Sequence, residues 1–124
     1  MKFYMCEICG KIITQIEETA VDTVCCGETM RELVPDIADG DVEKHVPEVR
    51  VDGHTVVVTV GSTPHPMLKT HFIQWIVLQT QTGCQYRRLQ PGDAPQATFA
   101  LIPQDTVKAV YAYCSVHGLW KSFA

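Results

Sequence analysis

No apolar run in this chain of 124 residues approaches the ~18 residues that a membrane-spanning helix needs. A helical membrane anchor is therefore excluded. Lysine and arginine nowhere gather beyond the pair Arg87-Arg88, so the electrostatic footprint of a nucleic-acid-binding face is missing as well. Met1-Lys2-Phe3-Tyr4-Met5-Cys6 runs directly into a cysteine motif without the apolar segment of a signal peptide, and the expected compartment is the cytoplasm. Internal repeats and low-complexity tracts are absent, and nothing in the pattern argues for a long helix.

What is present is a hydrophobic fraction of 46%, that of a folded globular protein, and a net charge of −4. Much of the acidity lies near the start: Lys2, Lys11 and Arg31 face Glu7, Glu17, Glu18, Asp22, Glu28 and Glu32. The length suits one domain, or a small module joined to a domain of about 90 residues. Six cysteines in so short a chain are notable. In a reducing compartment they are expected to be metal ligands rather than disulfides.

Residues 1–36 read as a separate module. Short strands are predicted at Phe3–Met5, Lys11–Ile16 and Thr29–Leu33, around a Cys6-Glu7-Ile8-Cys9-Gly10 knuckle and the pair Cys25-Cys26-Gly27. A segment this small buries too little apolar surface to fold unaided. Cys6, Cys9, Cys25 and Cys26 would supply a four-thiolate site suited to zinc or a single iron. A vicinal disulfide or unconnected buried thiols are the competing readings, and the glycine-followed knuckle argues against both. Adjacent residues on an extended strand point to opposite sides, so both sulfurs reach one metal only through a turn; Gly27 is expected to provide it, with a distorted tetrahedron as the result.

Residues 37–124 alternate with a period of two. Strands are predicted around Val49 and Val51, from Thr55 to Val60, from His71 to Thr80, from Cys84 to Gln90, from Ala97 to Ile102 and from Val107 to Cys114, with a short closing segment at His117–Lys121. Asp52-Gly53 and Pro91-Gly92-Asp93-Ala94-Pro95 mark turns. The pattern predicts an all-β chain whose larger part is a seven-stranded immunoglobulin-like antiparallel sandwich, without the inter-sheet disulfide of antibody domains.

The chemistry of this part gathers in three places. Pro64 and Pro66 clamp His65 in a stiff turn, and His71 follows six residues later. Cys114 and His117 lie three residues apart, and His45 stands upstream. Four imidazoles and one sulfur are therefore candidates for a single metal. A lone buried histidine is more often an ordinary core residue, but the motif context favours ligation for these four. His54 sits at a hairpin tip, where a solvated side chain is the default. Trp75, Trp120, Phe72, Ile73 and Ile76 read as core and pocket wall.

Several motifs in this order resemble the desulfoferrodoxins, the two-iron class of superoxide reductase, over essentially the whole length. Cys-x-x-Cys-Gly with Cys-Cys-Gly-Glu is similar to the desulforedoxin-type module. Glu-Lys-His-Val-Pro, Gly-Ser-x-Pro-His-Pro-Met, His-x-Ile-x-Trp-Ile, Pro-Gly-Asp-Ala-Pro and Tyr-Cys-x-x-His-Gly-Leu-Trp-Lys resemble the catalytic, neelaredoxin-like domain. The resemblance implies one iron held by Cys6, Cys9, Cys25 and Cys26, and a catalytic iron held by His45, His65, His71 and His117 with Cys114 as the axial sulfur. It matches Lys44 to the lysine beside the open coordination position and Glu43 to the glutamate that can ligate the oxidised iron. Cys84 matches no ligand position.

The implied activity is one-electron reduction of superoxide to hydrogen peroxide in oxidative-stress defence, with electrons from a small redox protein such as rubredoxin and with a homodimer as the implied assembly. Imidazole suits ferrous iron, and five protein donors leave a sixth position open. Four neutral imidazoles, one thiolate and iron(II) sum to a positive charge, which attracts an anion despite the acidity of the whole chain. The competing readings are a non-catalytic metal-binding or electron-transfer protein, and superoxide dismutation at the same site. Dismutation would need the oxidised site to accept an electron from superoxide, which an anionic thiolate disfavours.

Overall fold

The computed structural model describes residues 1–36 and 45–123. The chain divides into two compact units, Met1–Val34 and Pro35–Ala124. No helix among the described residues is long and apolar enough to cross a membrane.

The first unit holds strands β1 (Phe3–Met5), β2 (Ile12–Thr14), β3 (Val24–Cys25), β4 (Glu28–Thr29) and β5 (Arg31–Leu33). β1 lies between β2 and β5 in an antiparallel sheet, with Tyr4 opposite both Ile13 and Glu32. Phe3, Cys6, Met30 and Leu33 are buried. The knuckle folds back on itself: Gly10 N donates to Cys6 O and Cys6 N to Lys11 O, both at 2.9 Å. β3 and β4 form a two-residue hairpin whose turn residues, Cys26 and Gly27, have φ of 53° and 76°. Two left-handed residues in succession are the signature of a type I′ turn. The turn expected from Gly27 is present, but Cys26 shares the left-handed conformation.

The second unit is a sandwich of two antiparallel sheets, as the alternation predicts. Its strands are β6 (Pro47–Asp52), β7 (Thr55–Val60), β8 (Ile73–Thr80), β9 (Cys84–Arg88), β10 (Gln96–Ala100), β11 (Val107–Cys114) and β12 (Gly118–Phe123). Among the described residues one sheet has the order β10-β7-β6 and the other β12-β11-β8-β9. The β6–β7 turn falls one residue later than expected: Asp52 pairs with Thr55, which leaves Gly53 and His54 at the tip. β8 starts at Ile73 rather than His71, and the closing segment continues to Phe123.

The core forms between the inner faces. Val56, Val58 and Val60 of β7 and Ala97 and Phe99 of β10 cluster with Ile76 and Leu78 of β8 and Val110, Ala112 and Cys114 of β11. The three valines are fully buried, and each contributes about 1.5–3 kcal/mol relative to an exposed position. The sheets are also linked by hydrogen bonds: Ser122 Oγ donates to Pro47 O at 2.7 Å and Gln85 Nε2 to Ala100 O at 2.6 Å. Arg87 of β9 places its guanidinium 5.0 Å above the Phe99 ring. All six cysteines are free thiols, so no disulfide joins the sheets. On the opposite face of the four-stranded sheet, Trp75 stacks on Tyr113 with ring centroids 5.4 Å apart. Cys114 thus ends an inward-facing row of core residues, which carries its sulfur to one end of the sandwich.

Candidate metal centres

Three chain segments bring the larger site together. β11 ends at Cys114, and the chain turns through Ser115, Val116 and His117 into β12, with Cys114 and Gly118 paired across the turn. Gly118 has φ of 81°, a conformation that a side chain would strain. The His117 amide points back to Cys114 Sγ at 3.4 Å. His65 and His71 come from the connection between β7 and β8. Leu68 and His71 exchange backbone hydrogen bonds of 2.9 and 3.1 Å, Gly92 N donates to Met67 O, and Ile73 N donates to Met67 Sδ at 3.4 Å. His45 precedes β6, where Val46 O accepts from Gly61 N.

The donor atoms of His45, His65, His71, Cys114 and His117 all lie within 4.8 Å of one another. The imidazoles form a square. Neighbouring ring centroids are 4.7 Å (His45–His65), 4.8 Å (His65–His71), 5.0 Å (His71–His117) and 4.6 Å (His117–His45) apart, at interplanar angles of 69–89°. His45 and His71 lie across the diagonal at 6.5 Å, nearly parallel at 25°. His45 Nε2 and His117 Nδ1 are 2.9 Å apart, close to the edge of about 3 Å that two donors at ~2.1 Å from one metal would make at a right angle. Cys114 Sγ lies 3.3 Å from His65 Nε2 and 3.8 Å from His117 Nδ1. Four nitrogens and one sulfur so disposed suit a metal with one position left open.

The electrostatics favour a neutral imidazole at His65. Burial pushes the pKa of His65 down to about 4; its hydrogen bond to Pro66 O opposes this, and His45, His71 and His117 add to the lowering. The 2.7 Å bond between His65 Nδ1 and Pro66 O assigns the proton to Nδ1 and leaves the Nε2 lone pair for a metal. Burial raises the pKa of Cys114, against the lowering effect of the His117 and Val116 amides. A cation among the imidazoles would supply the missing stabilisation of the thiolate. His45, His65 and Cys114 are buried, His71 is half-buried and His117 is exposed, so the His117 side faces solvent.

The second cluster consists of Cys6, Cys9, Cys25 and Cys26, with donor atoms likewise within 4.8 Å of one another. Cys9 Sγ and Cys25 Sγ are 3.8 Å apart, matching the edge of about 3.8 Å of a sulfur tetrahedron with metal bonds of ~2.3 Å. The Cys9 and Ile8 amides help draw the Cys6 pKa down to about 7, whereas the neighbouring thiols Cys9, Cys6 and Cys25 push that of Cys26 up to about 12. Such a group does not ionise fully at neutral pH on its own. Zinc or iron satisfies all four sulfurs at once.

All nine sulfur and imidazole donors expected from the sequence are thus gathered in two clusters. Glu43 and Lys44 lie outside the described residues. His54 is exposed at the hairpin tip, and Cys84 is an exposed thiol at the start of β9. Sequence reasoning did not identify Ser115, which joins the Cys114 turn to Phe72, or the stacking of Trp120 on His45. Neither contact has a sequence signal beyond its place beside a ligand motif.

An all-β chain with a four-cysteine cluster and a separate cluster of four histidines and one cysteine defines the two-iron class of non-haem iron proteins. The family model for desulfoferrodoxin matches residues 37–123, and that for the desulfoferrodoxin N-terminal domain matches residues 1–33. The chain belongs to the desulfoferrodoxin family. It is 43% identical to a desulfoferrodoxin from Nitratidesulfovibrio vulgaris, covering 99% of this chain and 96% of the relative, and 42% identical to a desulfoferrodoxin homolog from Archaeoglobus fulgidus, covering 98% and 96%. Among solved structures it is similar to the superoxide reductase from Treponema pallidum, with a TM-score of 0.85 and 34% identity over 98% of this chain and 96% of that one. The neelaredoxin-type superoxide reductase from Archaeoglobus fulgidus in its reduced form covers 70% of this chain and 93% of its own, with a TM-score of 0.51 and 32% identity.

Proposed function

We propose that the protein is a superoxide reductase, converting superoxide with one electron and two protons to hydrogen peroxide. The observation that carries this reading is the square of four imidazoles with Cys114 close to its donors, a set of five that leaves one position for a small anion. His45, His65, His71, His117 and Cys114 would hold an iron(II) that would supply the electron, and the Cys114 sulfur would favour its oxidised form.

The chain's own groups do the rest. The His117 amide, aimed at Cys114 Sγ, spreads the thiolate charge and fixes the sulfur's direction. Pro66 O holds His65 in the tautomer that presents Nε2 inward. His45 and His65 shield the interior side from water, while exposed His117 and half-buried His71 border the side open to solvent. Lys44 directly precedes His45 in the chain, and Glu43 precedes Lys44. Lys44 draws superoxide in by charge and passes a proton through an ordered water. Glu43 has the wrong sign to attract superoxide, and its role comes later, in displacing the product or capping the oxidised metal.

The four-cysteine centre has a full set of sulfurs, so it stores or relays an electron or staples the N-terminal unit. Pairing of the first unit with a second copy, as the family resemblance implies, is the proposed assembly. A small redox protein such as rubredoxin is the proposed electron donor, and a reducing cytoplasm, which keeps the thiols ready for metal, is the proposed location.

The test is to measure iron and zinc per chain under anaerobic conditions, then mix the ascorbate-reduced protein with superoxide while counting peroxide and oxygen. Two irons per chain and one peroxide per superoxide without oxygen are expected. Zinc in the histidine site, or iron there that superoxide leaves reduced, would sink the reading; oxygen release would turn it into dismutation.

A further inference from the structure

We infer that Trp120 is a positioning residue for the metal: its indole is the platform that sets His45 in the imidazole square. The inference rests on reading the five-residue cluster as a metal centre. It starts from where the fold anchors the donors. Cys114 ends a strand, His117 sits in the tight turn that follows, and His65 and His71 belong to a connection tied to its neighbours by several backbone hydrogen bonds. His45 precedes its strand, and its buried ring packs against that of Trp120.

Trp120 lies in β12. Its ring lies 4.6 Å from that of His45 at an interplanar angle of 19°, so the two planes stack. Both side chains are buried, at 3% and 1% exposure. The platform is held from both sides: Trp120 pairs with Ala112 of β11, and Asp36 bridges its other edge, with Asp36 N donating to Leu119 O at 2.8 Å and Lys121 N to Asp36 O at 3.2 Å. Two residues further along, Ser122 Oγ bonds Pro47 O, which ties the chain after His45 to the strand after Trp120. Among the described residues, the buried indole Nε1 has no hydrogen-bond partner. Its contribution to the site is therefore the flat aromatic surface. That surface holds His45 near-perpendicular to His65 and His117, as the square requires.

The experiment titrates cobalt(II) into the intact metal-free protein and follows the weak bands of the five-donor site, which separate from the intense tetrahedral bands of the four-thiolate site, with a competing chelator to obtain affinity. Trp120→Ala is expected to lower affinity at the histidine site on the order of tenfold, and Trp120→Phe, which keeps a flat ring, to recover most of it. In a His45→Ala background, adding Trp120→Ala should cost nothing further. Unchanged affinity in Trp120→Ala, or an equal loss with and without His45, would overturn the inference. If Trp120→Ala does not fold, Trp120→Leu against Trp120→Phe carries the same contrast. Wild-type protein without cobalt bands from the histidine site would instead overturn the metal reading itself.

Discussion

Ser115 and Phe72 bond each other twice: Ser115 N donates to Phe72 O at 3.0 Å, and Phe72 N donates to Ser115 Oγ at 3.1 Å. Each adjoins a proposed metal donor, Cys114 on one side and His71 on the other. The pair therefore sets the spacing between a sulfur at the end of β11 and an imidazole at the entrance to β8, where the register of the two strands also shifts. Ser115→Ala removes one bond and leaves the Phe72 amide without its acceptor. It should cost about 1–3 kcal/mol of stability, read by urea denaturation of the metal-free protein, and weaken metal binding at the histidine site. Unaltered stability would remove the clasp from the account.

Cys26 tests the independence of the two centres. Its left-handed backbone persists in serine, but the hydroxyl is a poor substitute for a thiolate. Cys26→Ser should lose metal from the four-cysteine centre while the histidine centre stays loaded, as seen by metal analysis and visible absorption. The peroxide yield per superoxide from pre-reduced protein is expected to remain as in the wild type.

Asp105, which belongs to neither donor set, gives a pH prediction. Its Oδ2 accepts from Thr82 Oγ1 at 2.8 Å and its Oδ1 from Thr106 N at 2.9 Å. Partial burial raises its pKa, and the hydrogen bonds from Thr80, Thr82 and Thr106 outweigh that and set it below 3.8. The folded state therefore binds this proton less readily than the unfolded chain. The resulting stability is present above the unfolded value of 3.8 and is lost as pH falls through the lower, folded value. Asp105→Asn should be less stable than wild type at neutral pH, and the gap should close in acid; a gap that widens there would contradict the assignment.

Lys44 is tested by rate. Lys44→Met removes the charge proposed to draw in superoxide, and should slow the bimolecular step and flatten its dependence on ionic strength in pulse radiolysis. A rate and salt slope equal to those of the wild type would remove Lys44 from the mechanism.

The donors themselves were legible in the chain. The Cys6–Cys9 knuckle, the Cys25-Cys26 pair, the proline-clamped His65 and the Cys114–His117 spacing are local patterns, and local patterns carry ligand chemistry. The strands of the sandwich were legible for the same reason, since alternation in stretches such as Thr55–Val60 depends on neighbours two residues away. Boundaries were less so. His71 was expected inside a strand, but its hydrogen bonds with Leu68 close a tight loop and delay β8 to Ile73.

The sequence by itself determined which atoms are available to a metal and that the chain folds as sheets. Only the tertiary structure decided their order around the square, with His45 across from His71 and beside His117, 72 positions away in the chain. It also decided that Pro66 O selects the His65 tautomer and that Trp120 lies flat on His45. The physical reason is that ligand identity is written residue by residue, whereas the angles between ligands come from packing segments that meet only when the sandwich closes.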